Sequence, residues 1–314
     1  PNAISNRAFL AFVKETAYGS TLSSTTLKKL RFLSESIVPQ LNRAHSGEIE
    51  ANRNRLNVMA LSQSAAGAID CELSYTDFEP LLRSAICAGA GLADTPSSGI
   101  TRYLNGSTLD TYYFEKQHLD VGTFTGVYGA VLNAMNLTFE ANAPVGVQLG
   151  VLAQKMTKES ATRSTALTEP STDAVMRSGA DVASISLGGS AIAAAVQRLV
   201  LNIRNNITPR SEVTADAPAE MMPHSFEVSG SMLVYFPTVA LYDDILANTA
   251  RALAIPVATA AGSFTFRLPA IKLVGGGPTI PAQNQDVMLE IPFLAERGTL
   301  DAAACTMALD VDPA

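Results

Sequence analysis

Carboxylates at alternate positions are the feature of this sequence with the plainest chemical potential. In Ile69-Asp70-Cys71-Glu72-Leu73, the strand period puts Asp70 and Glu72 on one face and Ile69, Cys71 and Leu73 on the other. Glu140 closes a second alternation, Met135-Asn136-Leu137-Thr138-Phe139-Glu140, and Glu290 stands in a third, Val287-Met288-Leu289-Glu290-Ile291. Acid–base catalysis needs such carboxylates beside a proton-relay partner. The three histidines, His45, His118 and His224, are far apart in the chain, and there is no serine elbow and no HExxH. Cys71, Cys87 and Cys305 are odd in number and lack metal-ligand spacing. Gly275-Gly276-Gly277-Pro278 has no following Lys-Ser/Thr and opens no helix, so it reads as a hairpin tip rather than a phosphate cradle. Asp243-Asp244 are adjacent on an expected helix and diverge, so they complement a helix N-terminus better than a metal. Asn105-Gly106-Ser107 and Asn136-Leu137-Thr138 match a glycosylation pattern. The start, Pro1-Asn2-Ala3, has no basic region leading into an apolar run, so no secretory signal and cytoplasmic folding are expected. The residues thus point to no catalytic site, no metal and no cofactor.

The elements that must carry these side chains are mostly strands. Beyond the three alternations above, Leu199–Ile203 and Phe226–Val228 alternate, as half-buried antiparallel strands do. Two segments read as helix. One follows Thr76, where Thr76-Asp77-Phe78-Glu79 has capping-box spacing, with a stripe of Phe78, Leu81, Leu82, Ala85 and Ile86 and a stop at Gly89. The other follows Thr238, with a stripe of Leu241, Ile245, Leu246 and Leu253. The Ala-rich Ser190–Gln197 reads as turn and strand because it runs straight into an alternating segment.

The two helices sit in matching contexts. An apolar strand (Leu30–Ser36), a polar stretch (Gln40–Asn57), a strand marked by Gly67 and a helix are echoed by Leu199–Ile203, Asn205–His224, a strand marked by Gly230 and a helix. Aligning Gly67 with Gly230 brings the helices into register. Aromatic strands follow, at Thr111–Phe114 and Ser263–Phe266, then alternating ones, Ala134–Glu140 and Gln285–Ile291. The first half adds another near Val145–Gln154. This is a duplicated domain in expectation: residues 1–160 with an N-terminal arm, a Ser/Thr-rich linker at 161–180, and 181–314 with a C-terminal arm.

Composition narrows the function classes. With 47% apolar and 16% charged residues the chain packs a core, and no apolar run reaches the ~18 residues of a spanning helix. The net charge is −7. Residues 1–160 carry 13 basic and 14 acidic side chains, and 161–314 carry 9 and 15, so there is no basic stripe to hold nucleic acid.

Taken in order, several pieces closely resemble the tail tube proteins of long-tailed bacteriophages. They are Lys14-Glu15-Thr16-Ala17-Tyr18-Gly19, Leu30-Arg31-Phe32-Leu33-Ser34-Glu35-Ser36, Ser46-Gly47-Glu48-Ile49 with Asn52-Arg53, and Ala66–Ser74 leading into Phe78-Glu79-Pro80-Leu81-Leu82. Phe124–Ala130 and the restart Ala191–Ile203 also fit. No piece is a sharp motif; their order carries the likeness, which is strongest before residue 155. The resemblance implies a mainly β fold, two tandem β-sandwich or barrel domains each flanked by one helix. It implies rings stacked into a tube for DNA, three chains per ring where the domain is duplicated and six where it is single. Four strands per domain, spaced ~4.8 Å and tilted ~40°, give a circumference of ~150 Å and a bore just under ~40 Å, wide enough for a duplex.

On that reading, Asp70, Glu72, Glu140 and Glu290 are candidates to line the channel, where acidic groups would keep phosphates from sticking. Asn42, Arg43, Glu48, Glu50, Arg53 and Arg55 in one loop, and Arg210, Glu212, Asp216 and Glu220 in the other, are candidates for ring stacking. The implied partners are further copies of the chain, the tape measure protein, the tail terminator and the baseplate or distal tail proteins. DNA is present only in transit, and no membrane insertion is expected. The implied location is the virion of a flexible-tailed (siphophage-type) phage, with assembly in the host cytoplasm. Alternatives are a head–tail joining or terminator ring and a type VI secretion-like tube, which is usually single-domain. A carbohydrate-binding sandwich at the tail tip is a third, but it wants exposed aromatics, and this chain has no Trp and 6% aromatics.

Overall fold

The computed structural model describes residues 4–20, 25–49, 51–52, 54–55, 57–89, 92–93, 99–192, 195–235, 240–275 and 286–313. The principal elements are β1 (Ala8–Lys14), β2 (Thr25–Leu30), β3 (Val38–His45), β4 (Val58–Glu72), α1 (Tyr75–Ala85), β5 (Tyr112–His118), β6 (Thr123–Glu140), β7 (Gly146–Ala153), β8 (Lys155–Glu159) and β9 (Ser164–Thr168). They continue with β10 (Val196–Arg204), β11 (Glu227–Tyr235), α2 (Ala240–Ala247), β12 (Arg251–Thr259), β13 (Gly262–Leu273), β14 (Met288–Ala295) and β15 (Ala308–Pro313). The protein is mainly β, as the alternation required, and among the described residues the sheets of one chain do not close into a barrel.

One sheet runs through both halves in the order β3–β4–β7–β6–β10–β11–β14–β13. The seam between halves is β6 against β10, from Arg198 opposite Glu140 to Arg204 opposite Ala134. Outside it, β9–β2–β1–β5–β6–β8 form a second layer over the first half. The long β6 serves both layers, and Gly129, with φ +60°, marks the crossing; a Cβ there would meet the Tyr18 ring. In the second half β12, β13 and β15 make the outer layer, extended by the short strand Thr101–Leu104 from the first half.

Five pairings of one half have counterparts in the other. β3–β4, β4–β7, β7–β6, β6–β5 and β6–β8 are matched by β10–β11, β11–β14, β14–β13, β13–β12 and β13–β15. Gly67 and Gly230 hold the same place. A Cβ on Gly67 would strike the Ser36–Ile37 backbone, and one on Gly230 would strike the Val200 carbonyl and the Phe293 ring. One continuous core lies between the layers, from Leu10, Phe12 and Phe114 through Ile69, Leu137 and Leu201 to Ile255, Phe266 and Ile291.

Several expectations change. The strand expected at Leu30–Ser36 is broken: β2 ends at Leu30 in the outer layer, and Ser34–Glu35 pairs with β4 in the joint sheet. The chain changes layers at 31–33, which alternation alone does not reveal. Residues 40–45 of the polar stretch 40–57 belong to β3, which forms a hairpin with β4. Helix α1 begins two residues earlier than the capping box implied, with Ser74 at the N-cap. Asp77 is drawn into a tertiary contact, bonding Lys28 and the Ser171 amide. The helix ends at Ala85, where Cys87 takes φ +50°, before Gly89. Leu253 belongs to β12, not to α2, and Leu246 is exposed rather than part of a buried stripe. Segment 161–180 is strapped to the first half: β9 adds parallel to β2, Thr162 and the Arg163 amide bond buried Glu115, and Met176 is fully buried.

Candidate functional site

The face of the joint sheet turned away from the core is an organised polar surface. Alternation assigns it without ambiguity, because Ile69, Met135, Leu149, Leu201, Met232 and Ile291 point into the core and their neighbours point out. Strand register then arranges the outward side chains in rows. One row runs from the short strand Ser34–Glu35 across seven of the eight strands, β4 to β13: Ser34, Asp70, Gln148, Asn136, Asn202, Ser229, Leu294, Lys272. Its first four members are hydrogen-bonded side chain to side chain. Ser34 Oγ donates to Asp70 Oδ2 at 2.6 Å, Gln148 Nε2 to Asp70 Oδ1 at 2.7 Å, and Asn136 Nδ2 to Gln148 Oε1 at 3.0 Å. A shallow depression of 390 Å³ lies along this row, open rather than enclosed and floored by Asp70, Asn136, Gln148 and Asn202.

All four expected channel carboxylates fall on this one face. Glu72 begins the next row, Glu72–Gly146–Thr138–Val200–Ser231–Pro292. Glu140 and Glu290 share the row after, Glu140–Arg198–Leu233–Glu290. Of the basic groups here, Arg198 stands opposite Glu140, Arg204 opposite Glu227, and Lys272 is ion-paired with Glu296 at 3.2 Å. Asp70, Glu72 and Glu290 are the surplus, so the face is polar and net acidic. Sequence reasoning that searched for carboxylates missed the neutral members Ser34, Gln148, Asn136, Asn202 and Ser229. Their signal was present in the same alternations, as amides and hydroxyls at the outward positions.

The two loops expected to stack rings differ. Asn42 and Arg43 lie on β3, Glu48 and Arg55 lie in the turn beyond it, and Glu50 and Arg53 fall outside the described residues. In the second loop Arg210 and Glu220 face each other on a small hairpin, ion-paired at 3.0 Å, and Glu212 is exposed nearby. That loop is tied to the first half. Asp216 accepts the Gln63 amide N–H through its carbonyl at 2.7 Å and Gln63 Nε2 through its carboxylate at 3.0 Å. The Pro218 carbonyl accepts Tyr18 Oη at 3.2 Å and Gln154 Nε2 at 3.1 Å. Tyr18 is set by Glu15, a buried carboxylate that accepts the amides of Gly19 at 3.0 Å and Gly129 at 2.9 Å. Burial pushes the Glu15 pKa up, against the pull of those two N–H groups.

Elsewhere the polar chemistry is structural. Arg102, almost wholly buried, grips Asp310 with Nε at 2.5 Å and Nη2 at 2.7 Å, and also bonds Asp301, fixing Thr101–Leu104 to β15. The three cysteines are buried. Burial pushes Cys71 up to about 12 and Cys87 up to about 11, with Asp70 and Asp110 adding to the rise, so neither forms a thiolate readily. The glycine run 275–278 lies mostly outside the described residues.

A family model described as phage tail tube protein matches residues 5–295. The chain belongs to the phage tail tube protein family. It is therefore a structural component of a phage virion. No curated protein matches it. Among the described residues no helix is long and apolar enough to cross a membrane.

Proposed function

We propose that this tail tube protein is a duplicated-domain subunit, three copies of which form a ring with pseudo-sixfold symmetry. The rings stack into a tube whose channel DNA traverses during ejection. The observation that carries the reading is the joint sheet: the same four-strand unit occurs twice, side by side, with one polar, net-acidic face. Three copies of eight strands would give ~24 strands and, at ~4.8 Å spacing and ~40° tilt, a backbone diameter of ~48 Å, room for a duplex once side chains are added. In that arrangement Asp70, Glu72, Glu140 and Glu290 face the channel, and the β3–β4 hairpin and the 205–226 loop lie on the ring's end. A tube of this kind meets the tape measure protein inside and the terminator and distal tail proteins at its ends, and it assembles in the host cytoplasm without catalytic activity.

The test is to express the chain alone and image it by negative-stain electron microscopy, with the mass of any rings measured. Hollow rings or tubes of three chains are expected. Rings of six chains would keep the tube role and refute the duplication, and a monomer at every concentration would refute self-assembly by the chain alone.

A further inference from the structure

The two halves of the joint sheet carry different side chains on the same backbone positions. Gly67 and Gly230 are counterparts, so Asp70 and Glu72 on β4 correspond to Leu233 and Tyr235 on β11. Register extends the comparison to the next strand. Asp70 faces Gln148 and Glu72 faces Gly146, whereas Leu233 faces Glu290 and Tyr235 faces Met288. These positions all lie on the outward face, because the residues between them, Cys71, Val147, Val234 and Leu289, are buried in the core. Two carboxylates, an amide and a glycine in the first half are thus replaced in the second by Leu, Tyr, Met and one carboxylate.

Apolar side chains continue around the second block. Pro292 and Leu294 follow Glu290 on the outward side of β14. Tyr235 is 39% exposed and Leu294 53% exposed, and Leu233 and Met288 are half-buried. Glu290, one of the surplus carboxylates of the face, stands among them. A duplex presents phosphates at its surface; the carboxylates repel them, and Leu, Tyr and Met find no complement there. A polypeptide offers both complements. Its apolar side chains cover those of the block, and a Lys or Arg stem lies along them with its charge at Glu290.

We propose that Leu233, Tyr235, Met288 and Glu290, with Pro292 and Leu294, seat an amphipathic α-helix of a second protein, its apolar stripe against the sheet and a Lys or Arg at Glu290. This rests on the tube-subunit reading, because it takes the outward face as the channel wall. A helix suits the block because side chains three and four residues apart lie ~5–6 Å from one another, close to the ~4.8 Å between strands. The first-half block of Asp70, Glu72, Gln148 and Gly146 makes no such seat. The wall is then divided by function: in each chain one facet holds a resident protein, and the other only keeps the channel's contents from sticking.

The probe is a synthetic peptide of about 18 residues, all Leu and Lys, with Leu at helical spacing. A control peptide has the same composition scrambled out of that spacing. Tubes are assembled with each peptide, bound peptide is measured after sedimentation, and electron cryo-microscopy locates it. The patterned peptide is expected in the channel over Leu233, with the scrambled one bound more weakly. The deciding variant is Leu233→Asp with Tyr235→Glu. It gives the second half the residues that the first half already carries at the counterpart positions, and it adds two negative charges per chain. Seating on apolar side chains requires binding weaker by about tenfold or more. Mere attraction of a basic peptide to an acidic wall would instead make binding tighter. Tighter or unchanged binding would overturn the seat and leave the tube reading standing, as would peptide density away from the second-half facet. If the charged pair blocks assembly, Leu233→Ser with Tyr235→Ser makes the comparison at constant charge, and loss of binding is again expected. A chain that forms no rings or tubes would overturn the tube reading and the seat together.

Discussion

At the scale of single residues, Glu15 shows how one side chain can organise a region without any catalytic duty. Its carboxylate is buried and has no salt-bridge partner among the described residues; it is held by the amides of Gly19 and Gly129, and the turn it braces presents Tyr18 to the second half. Burial is the largest influence and raises its pKa above the ordinary 4.5. The folded chain therefore binds a proton more tightly than the unfolded chain. That contribution to stability is full below the unfolded pKa and is lost as pH rises through the folded one. Glu15→Gln cannot titrate. Urea unfolding of both proteins from about pH 4 to pH 7 should show the difference in stability moving toward the variant as pH increases. A difference that stays flat across that range would mean that Glu15 titrates like an exposed carboxylate, and that burial does not govern it.

At the scale of elements, two hairpins with the same place in the pairing scheme have different environments. The β3–β4 hairpin extends apolar side chains into solvent, whereas the 205–226 loop is pinned by Gln63, Tyr18 and Gln154. Tyr18→Phe with Gln154→Ala removes both donors to the Pro218 carbonyl, each worth about 0.5–1.5 kcal/mol. Faster amide exchange confined to residues 208–222 is expected, with exchange in β4 and β7 unchanged; exchange rising throughout would mean these bonds hold the core rather than the loop. The environments also explain what the sequence could disclose. Strands buried on one face, such as β4, β6, β10 and β14, were legible because burial imposes alternation. The β3–β4 hairpin was not, because with solvent on both sides nothing enforces a pattern, and Gln40–Asn57 reads as a polar loop. The first helix was legible from its stripe but its start was misplaced, since Asp77 serves Lys28 and Ser171 rather than a cap. The carboxylates of the polar face were found one at a time. Their common face, and the amides beside them, emerge only when register aligns strands more than a hundred residues apart.

At the scale of the whole molecule, what matters is the sum of charge on that face rather than any one group. Arg198, Arg204 and Lys272 each have an acidic neighbour, which leaves Asp70, Glu72 and Glu290 as uncompensated negative charge. If that face lines a channel, as we propose, this balance would repel phosphate weakly over the whole wall, and a duplex could pass without being gripped at any point. Reversing the three surplus charges should convert the wall from repelling to binding. Tubes assembled from the Asp70→Lys, Glu72→Lys, Glu290→Lys variant are expected to retain linear duplex DNA in sedimentation at low salt and to release it as salt is raised, because counterion release drives such binding. Tubes of the unaltered chain should retain little at any salt. The salt dependence separates this from a change in assembly, which would alter the amount of sedimenting protein instead. Equal and negligible retention by both tubes would place these carboxylates away from the DNA path, and the acidity of the face would then need an explanation outside the channel.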